Sequence, residues 1–342
     1  MKLTRNSSPL VPAALFCLLI FAIEIPSAIA RAAPQGVSDH PAIANTNNDP
    51  ALRLEAIGYR LALANAKLCD QPEMLSGLMV HNIGAYAKAG RPTIKNIYGL
   101  SYGFGVLNIV QGSAADAAGI AAGDEIIAVN GYSLAGFATE LIGDRATYDR
   151  TAKFVGFLEQ SLRRGPATLE VRRGLAQFAV SLTGAEGCSG RFAFLRRREL
   201  NAWSDGRTVA VTSQMMEFVP DNQELAFVVA HEMSHNILRH AEKLEGSSTL
   251  LMQFGLGARR VKASEIEADT LAIELMAQAG FDLNAPERLL RRTSKGRSLD
   301  LAITHPGTSR RIDIVNAARA KAVNLQALGD RQAPHAISLA SP

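Results

Sequence analysis

Histidines 231 and 235 stand four residues apart in "ELAFVVAHEMSHNILRHAEKLE", with Glu232 directly after the first. On a helix, positions i and i+4 share a face, so both imidazoles project together. Two neutral imidazoles so placed can hold a zinc ion from two corners of its tetrahedron, at about 2.0–2.1 Å each. Glu232 lies to one side, where a carboxylate can take a proton from the water that such a metal makes acidic. The run is otherwise apolar, and burying these groups unpaired would cost on the order of several kcal/mol. A metal is the partner that removes this cost.

A hydrolytic zinc site needs three protein ligands and one open position. "ASEIEADTLAIELMAQAG" at 263–280 reads as a second helix, closed by Gly280. Glu265 and Asp269 are again i and i+4, so both can face the first helix, whereas Glu267, about 200° round from Glu265, faces away. Glu265 is therefore expected on the metal, and Asp269 behind it, orienting an imidazole N–H. His240, about 140° from His235 on a continuous helix, reads as a structural residue. His40, His81 and His335 sit in polar or terminal contexts and need no role.

The elements that must position these residues are legible around them. Asp221 and Glu224 form a capping box after Pro220, opening the first helix. Before it, "ELNAWSDGRTVAVTSQMMEFV" reads as two short strands about an Asp205-Gly206 turn. Thr208 to Thr212 is expected to be an edge strand along which a substrate backbone lies. Further upstream, "ALRLEAIGYRLALANAKLC" has helical periodicity and ends near Cys69.

"HEMSHNILRH" followed by "EIEAD" resembles the HtpX/CAAX-prenyl-protease/Oma type of zinc metallopeptidases, the gluzincins of peptidase family M48. "NAWSDGRTVAVTSQMM", "NQELAFVVAHEMSH" and "THPGTSRRI" at 304–312 resemble that family's segments in the same order, over roughly 190–320. The resemblance implies one zinc per chain and cleavage of peptide bonds. It also implies an active-site role for His305, which Pro306 keeps off the following helix. His305 then either donates a hydrogen bond to the developing oxyanion or latches the zinc as a fourth ligand; the alternative is a plain structural histidine. The membrane-bound members insert transmembrane helices around the catalytic region; this chain looks instead like the soluble, exported branch.

"GVLNIVQGSAADAAGIAAGDEIIAVNGYSL" at 105–134 resembles a PDZ domain of the bacterial protease type. Such domains add a peptide as a strand and hold its terminal carboxylate on backbone amides of a φ-Gly-φ loop. Tyr98-Gly99-Leu100 is the candidate loop and Tyr102-Gly103-Phe104 its competitor, for a C-terminal peptide ligand. The alternative is that the domain only packs against its neighbour.

The 342 residues are 47% hydrophobic and 20% charged, which excludes a disordered chain, a fibre and a multi-span membrane protein. Lys2 and Arg5, an apolar stretch from Leu10 to Ile23, and small residues at Ala28 and Ala30 read as a secretory signal cut near Ala30. An uncleaved anchor is the alternative, although Glu24 interrupts a stretch already too short to span comfortably. Cys69 and Cys188 remain after processing, and an exported protein with two cysteines pairs them; two buried free thiols are the other possibility. The net charge of +4 is scattered over separate Arg runs without aromatic residues between them, which fits solvated faces rather than a nucleic-acid groove.

The expected fold is α+β: a small β-rich PDZ-like domain, then a mainly helical gluzincin metallopeptidase domain with a short sheet. The expected boundaries are signal 1–30, linker 31–50, helical segment 51–95, PDZ-like domain 96–186, metallopeptidase 187–328 and tail 329–342. The expected function is an exported zinc endopeptidase acting on periplasmic or envelope proteins in quality control. Its partners are protein or peptide substrates, with no nucleic acid and no transmembrane span after signal removal. The alternative is a periplasmic chaperone or adaptor whose zinc site is structural.

Overall fold

A computed structural model describes residues 49–139, 143, 145–245, 256–295 and 307–327. The expected signal, nearly all of the linker, His305 and the tail lie outside the described residues. Helix α1 (Pro50–Ala64) opens with Asp49, whose carboxylate accepts from the Ala51 amide at 2.9 Å, and with a proline in its first turn. Both features suit a helix start, because the first amides have no intrahelical partner. Leu54, Ile57 and Leu61 of α1 are buried in the same core as the later helices. The helix expected at 51–69 thus belongs with the helical carboxy-terminal half and ends in a short turn at Ala66–Leu68.

The PDZ-like part follows. Its strands are β1 (Glu73–Leu75), β2 (Leu78–His81), β3 (Phe104–Ile109), β4 (Glu125–Val129), β5 (Tyr132–Ser133), β6 (Ala167–Arg173), β7 (Ala176–Leu182) and β8 (Ala185–Gly187). Its helices are α2 (Arg91–Tyr98), α3 (Ala114–Ala117), α4 (Ala135–Thr139) and α5 (Asp149–Leu162). The main sheet runs β2-β3-β4-β6-β7, antiparallel throughout, with β5 on β4 and a separate β1-β8 pair. Ala167, Leu169 and Val171 point inward at every second position of β6, as a sheet with one covered face requires. Phe104 stacks on Phe154 of α5, ring centroids 4.1 Å apart. Asn130 and Gly131 both take positive φ, 51° and 76°, the left-handed pair that a tight hairpin between β4 and β5 needs. Strand β2 comes from the segment expected to be helical, so the sheet begins well before residue 96.

The remaining elements are β9 (Arg191–Leu195), β10 (Ala202–Ser204), β11 (Thr208–Thr212), α6 (Ser213–Phe218), α7 (Asn222–Ile237), α8 (His240–Glu245), α9 (Leu256–Gln278), α10 (Ala285–Lys295) and α11 (Thr308–Ala327). The expected hairpin of β10 and β11 is present, with Gly206 at φ 93° in its turn. Thr208–Thr212 is not an edge strand, however. β11 is the middle of three, because β9 pairs with it in parallel on the other side. Among the described residues the outer strands are β9, which packs on α1, and β10, which packs on α7. Cys69 and Cys188 form a disulfide, Cα to Cα 5.5 Å, tying the end of α1 to the junction between β8 and β9. No helix among the described residues is long and apolar enough to cross a membrane.

Candidate active site

Helix α7 starts at Asp221, whose side chain accepts from the Gln223 amide at 2.7 Å. Glu224 does not close a capping box; it accepts from Arg292 at 2.5 Å and fastens α7 to α10. Leu225, Ala226, Val229 and Ala230 are fully buried and hold α7 against the helices around it. The Gly206 amide donates to Asn236 at 2.7 Å, pinning the β10–β11 turn to the other end of α7.

From this frame His231 and His235 project together, as their spacing predicts. Their Nε2 atoms are 3.3 Å apart. Glu265 of α9 meets both, one oxygen 3.3 Å from His231 Nε2 and the other 3.4 Å from His235 Nε2. The three donor atoms lie within 4.8 Å of one another. Two imidazole nitrogens and a carboxylate oxygen converging in this way suit zinc. Glu232 is only 9% exposed and directly follows His231.

The outer ring nitrogens are engaged as well. His231 Nδ1 lies 2.9 Å from Asp269, the carboxylate expected behind the ligands. Burial works against charge on His231, but bonds to Asp269 and Glu265 outweigh it and push the imidazole up to about 9. Burial likewise opposes charge on Asp269, and its bonds to Arg311 and His231 still bring it down to about 2.

Two further residues complete this layer, Arg311, to which the sequence assigned no role, and His240, which it read as structural. Arg311 of α11 donates to both oxygens of Asp269, at 2.8 and 2.6 Å. Burial disfavours its charge, yet Asp269, Glu265 and Glu232 hold it above its usual value. The resemblance of "THPGTSRRI" to a His-Pro-x4-Arg-Ile segment picks out Arg311 but assigns it no partner. His240 is the second: its Nδ1 lies 2.9 Å from His235 Nδ1 and its Nε2 lies 3.1 Å from Glu267. Glu267 therefore faces away from the cluster of His231, His235 and Glu265, as expected, but is not simply solvated.

The φ-Gly-φ loop is placed differently from the expectation. Tyr98-Gly99-Leu100 ends α2 and leads to β3, and both edges of β3 are already paired, with β2 and β4. The Ser101 and Gly103 amides donate to the chain's own Glu125 at 2.7 and 2.8 Å. Arg172 donates to the Gly99 carbonyl at 2.7 Å. Neither Tyr98-Gly99-Leu100 nor Tyr102-Gly103-Phe104 thus faces an open strand edge. Among the described residues the end strands of this sheet are β2 and β7; β2 with α5 borders a cavity of about 70 Å³ lined by Gly77, Leu78, Val80, Val155, Leu158 and Leu162, among others.

Residues 176–263 and 244–319 match the peptidase family M48 model, and residues 82–145 match the PDZ domain model. The chain is 31% identical over 174 residues to the mitochondrial metalloendopeptidase OMA1 of Schizosaccharomyces pombe, covering 43% of this chain and 51% of that protein. It thus spans about half the length of that curated relative. The PDZ domain of HtrA3, crystallised with a phage-derived ligand (FGRWV), aligns with 34% of this chain and 89% of its own at 22% identity and a TM-score of 0.25. Residues 82–145 are thus similar to PDZ domains, and residues 176–319, which follow, to peptidase family M48.

Proposed function

We propose that this protein is a zinc-dependent endopeptidase that acts after export on proteins of the periplasm or envelope. The observation that carries this reading is the convergence of His231 Nε2, His235 Nε2 and Glu265 beside Glu232, within a family M48 domain. His231, His235 and Glu265 would hold one zinc. Zinc bound there supplies Lewis-acid chemistry, acidifying a water towards neutrality and polarising a peptide carbonyl. Glu232 takes the proton from that water and delivers it to the leaving amine nitrogen. Asp269 keeps the His231 ring oriented, so that Nε2 rather than Nδ1 faces the metal. The open edge of β10, which packs on α7, offers backbone groups to an extended substrate.

The reading of export rests on the signal-like amino terminus and on the disulfide, which suits an oxidising compartment. The PDZ domain would recruit or regulate by accepting a peptide, including a C-terminal one, along β2.

The test is a casein or peptide-library assay on the purified chain, with chelator and with zinc added back. Cleavage lost with chelator and restored by zinc is the expected result. A zinc-loaded protein that cleaves nothing while binding peptides would instead support the chaperone or adaptor reading.

A further inference from the structure

Helix α7 does not continue into α8. Arg239 takes a left-handed backbone, φ 54°, a conformation that non-glycine residues adopt mainly as single turn positions. The chain therefore changes direction one residue before His240, and α8 starts afresh. A continuous helix would carry His240 about 140° round from His235. The turn brings it back instead, with 2.9 Å between the two Nδ1 atoms. His240 is 3% exposed, and its other nitrogen lies 3.1 Å from Glu267, whose side chain is 57% exposed.

We propose that His240 is a positioning residue for the metal site, fixing through one hydrogen bond which nitrogen His235 presents to zinc. The inference rests on the zinc reading above. Donor and acceptor roles along this path are forced in turn. With His235 Nε2 turned to the metal, its ring proton sits on Nδ1, which must donate. His240 Nδ1 must then accept, which leaves the His240 proton on Nε2. That N–H faces Glu267, which only accepts while ionised. Each link permits a single tautomer, and the path ends on a carboxylate open to water. His231 has its counterpart in Asp269, so each histidine ligand is held from behind by a different partner. Outer partners of this kind typically set metal affinity by about 10–100-fold.

Two substitutions that differ in where an amide oxygen lies make the test. In His240→Asn the oxygen can take the place of Nδ1 and accept from His235; in His240→Gln it lies further out, near the Nε2 position. Zinc affinity is measured by chelator competition, and cobalt is substituted to read the ligand field by its visible spectrum. Thermal melts of the metal-free proteins check folding. We expect His240→Gln to weaken zinc by about 10–100-fold and to alter the cobalt spectrum, with His240→Asn close to the unaltered protein. Glu267→Ala, where water can replace the carboxylate, should stay within about threefold. Equal zinc affinity and equal cobalt spectra in the Asn and Gln variants would overturn the proposal, because a merely structural residue treats both alike. If Gln fails to fold, a cobalt spectrum of His240→Asn unlike that of the unaltered protein overturns it. An unaltered protein that takes up no zinc removes the zinc reading itself, and this proposal with it.

Discussion

Arg311 grips Asp269 with two parallel hydrogen bonds, and the same carboxylate meets His231 Nδ1 at 2.9 Å. Asp269 is fully enclosed and Arg311 nearly so, with 12% of its side chain exposed. Removing the guanidinium leaves a buried charge without its partner, which costs about 3–5 kcal/mol. Arg311→Ala should therefore lower the melting temperature and weaken zinc by about 10–100-fold. Arg311→Lys, which keeps the charge but not the paired geometry, should fall between. Wild-type zinc affinity in Arg311→Ala would remove Arg311 from the support of the site.

Glu232→Gln removes the base and leaves His231, His235 and Glu265 intact. The variant should retain a full complement of zinc and lose cleavage by about 10²–10⁴-fold. Metal analysis and turnover measured on one preparation check this. Turnover near wild type would mean that another group takes the proton.

Zinc uptake should release a proton from the site. Without metal, His231 is pushed up to about 9, and burial, which opposes its charge, is outweighed by Asp269 and Glu265. Zinc needs the neutral imidazole. Below about pH 9, binding must therefore displace that proton, and apparent affinity should rise with pH towards that value. Calorimetry in buffers of different ionisation heat measures the protons released. An affinity independent of pH between 6 and 8 would contradict this account.

The Cys69–Cys188 bond closes a loop of 119 residues that contains the PDZ sheet. In the chain-entropy account a loop of that length stabilises by about 4–5 kcal/mol. Reduction, or Cys69→Ser, should lower the melting temperature accordingly. Mass spectrometry of protein from an oxidising compartment should find no free thiol at either position. Two free thiols would refute the pairing.

If peptides add along β2, the wall formed by α5 should govern their affinity. Val155 is 38% exposed and lines the cavity beside β2, so Val155→Asp should fold normally. It should weaken peptide binding about tenfold or more, because a carboxylate would replace the apolar surface that a peptide side chain covers. Tyr102→Ala, in the loop held by Glu125, should leave binding unchanged. The reverse pattern would return the binding site to the Tyr98–Phe104 loop.

The local parts of this protein were determined by the sequence alone. The spacing of His231 and His235, and of Glu265 and Asp269, sets each pair on one helix face because helix periodicity is fixed by backbone geometry. Asn130-Gly131 sets its hairpin because only such residues take two left-handed steps at little cost. The relations that failed are non-local. Thr208–Thr212 looks like an edge until β9 pairs with it from outside the hairpin, and strand neighbours of that kind leave no periodicity in either segment. The glycine of Tyr98-Gly99-Leu100 suggests a loop ready for a carboxylate, but Arg172 binds the Gly99 carbonyl and Glu125 takes the Ser101 and Gly103 amides just after it, both from distant parts of the sequence. His240 depends on a left-handed turn at an arginine, a residue type that gives no sign of one. Tertiary packing chose these partners, because a buried polar group takes whichever neighbour the folded chain brings within reach.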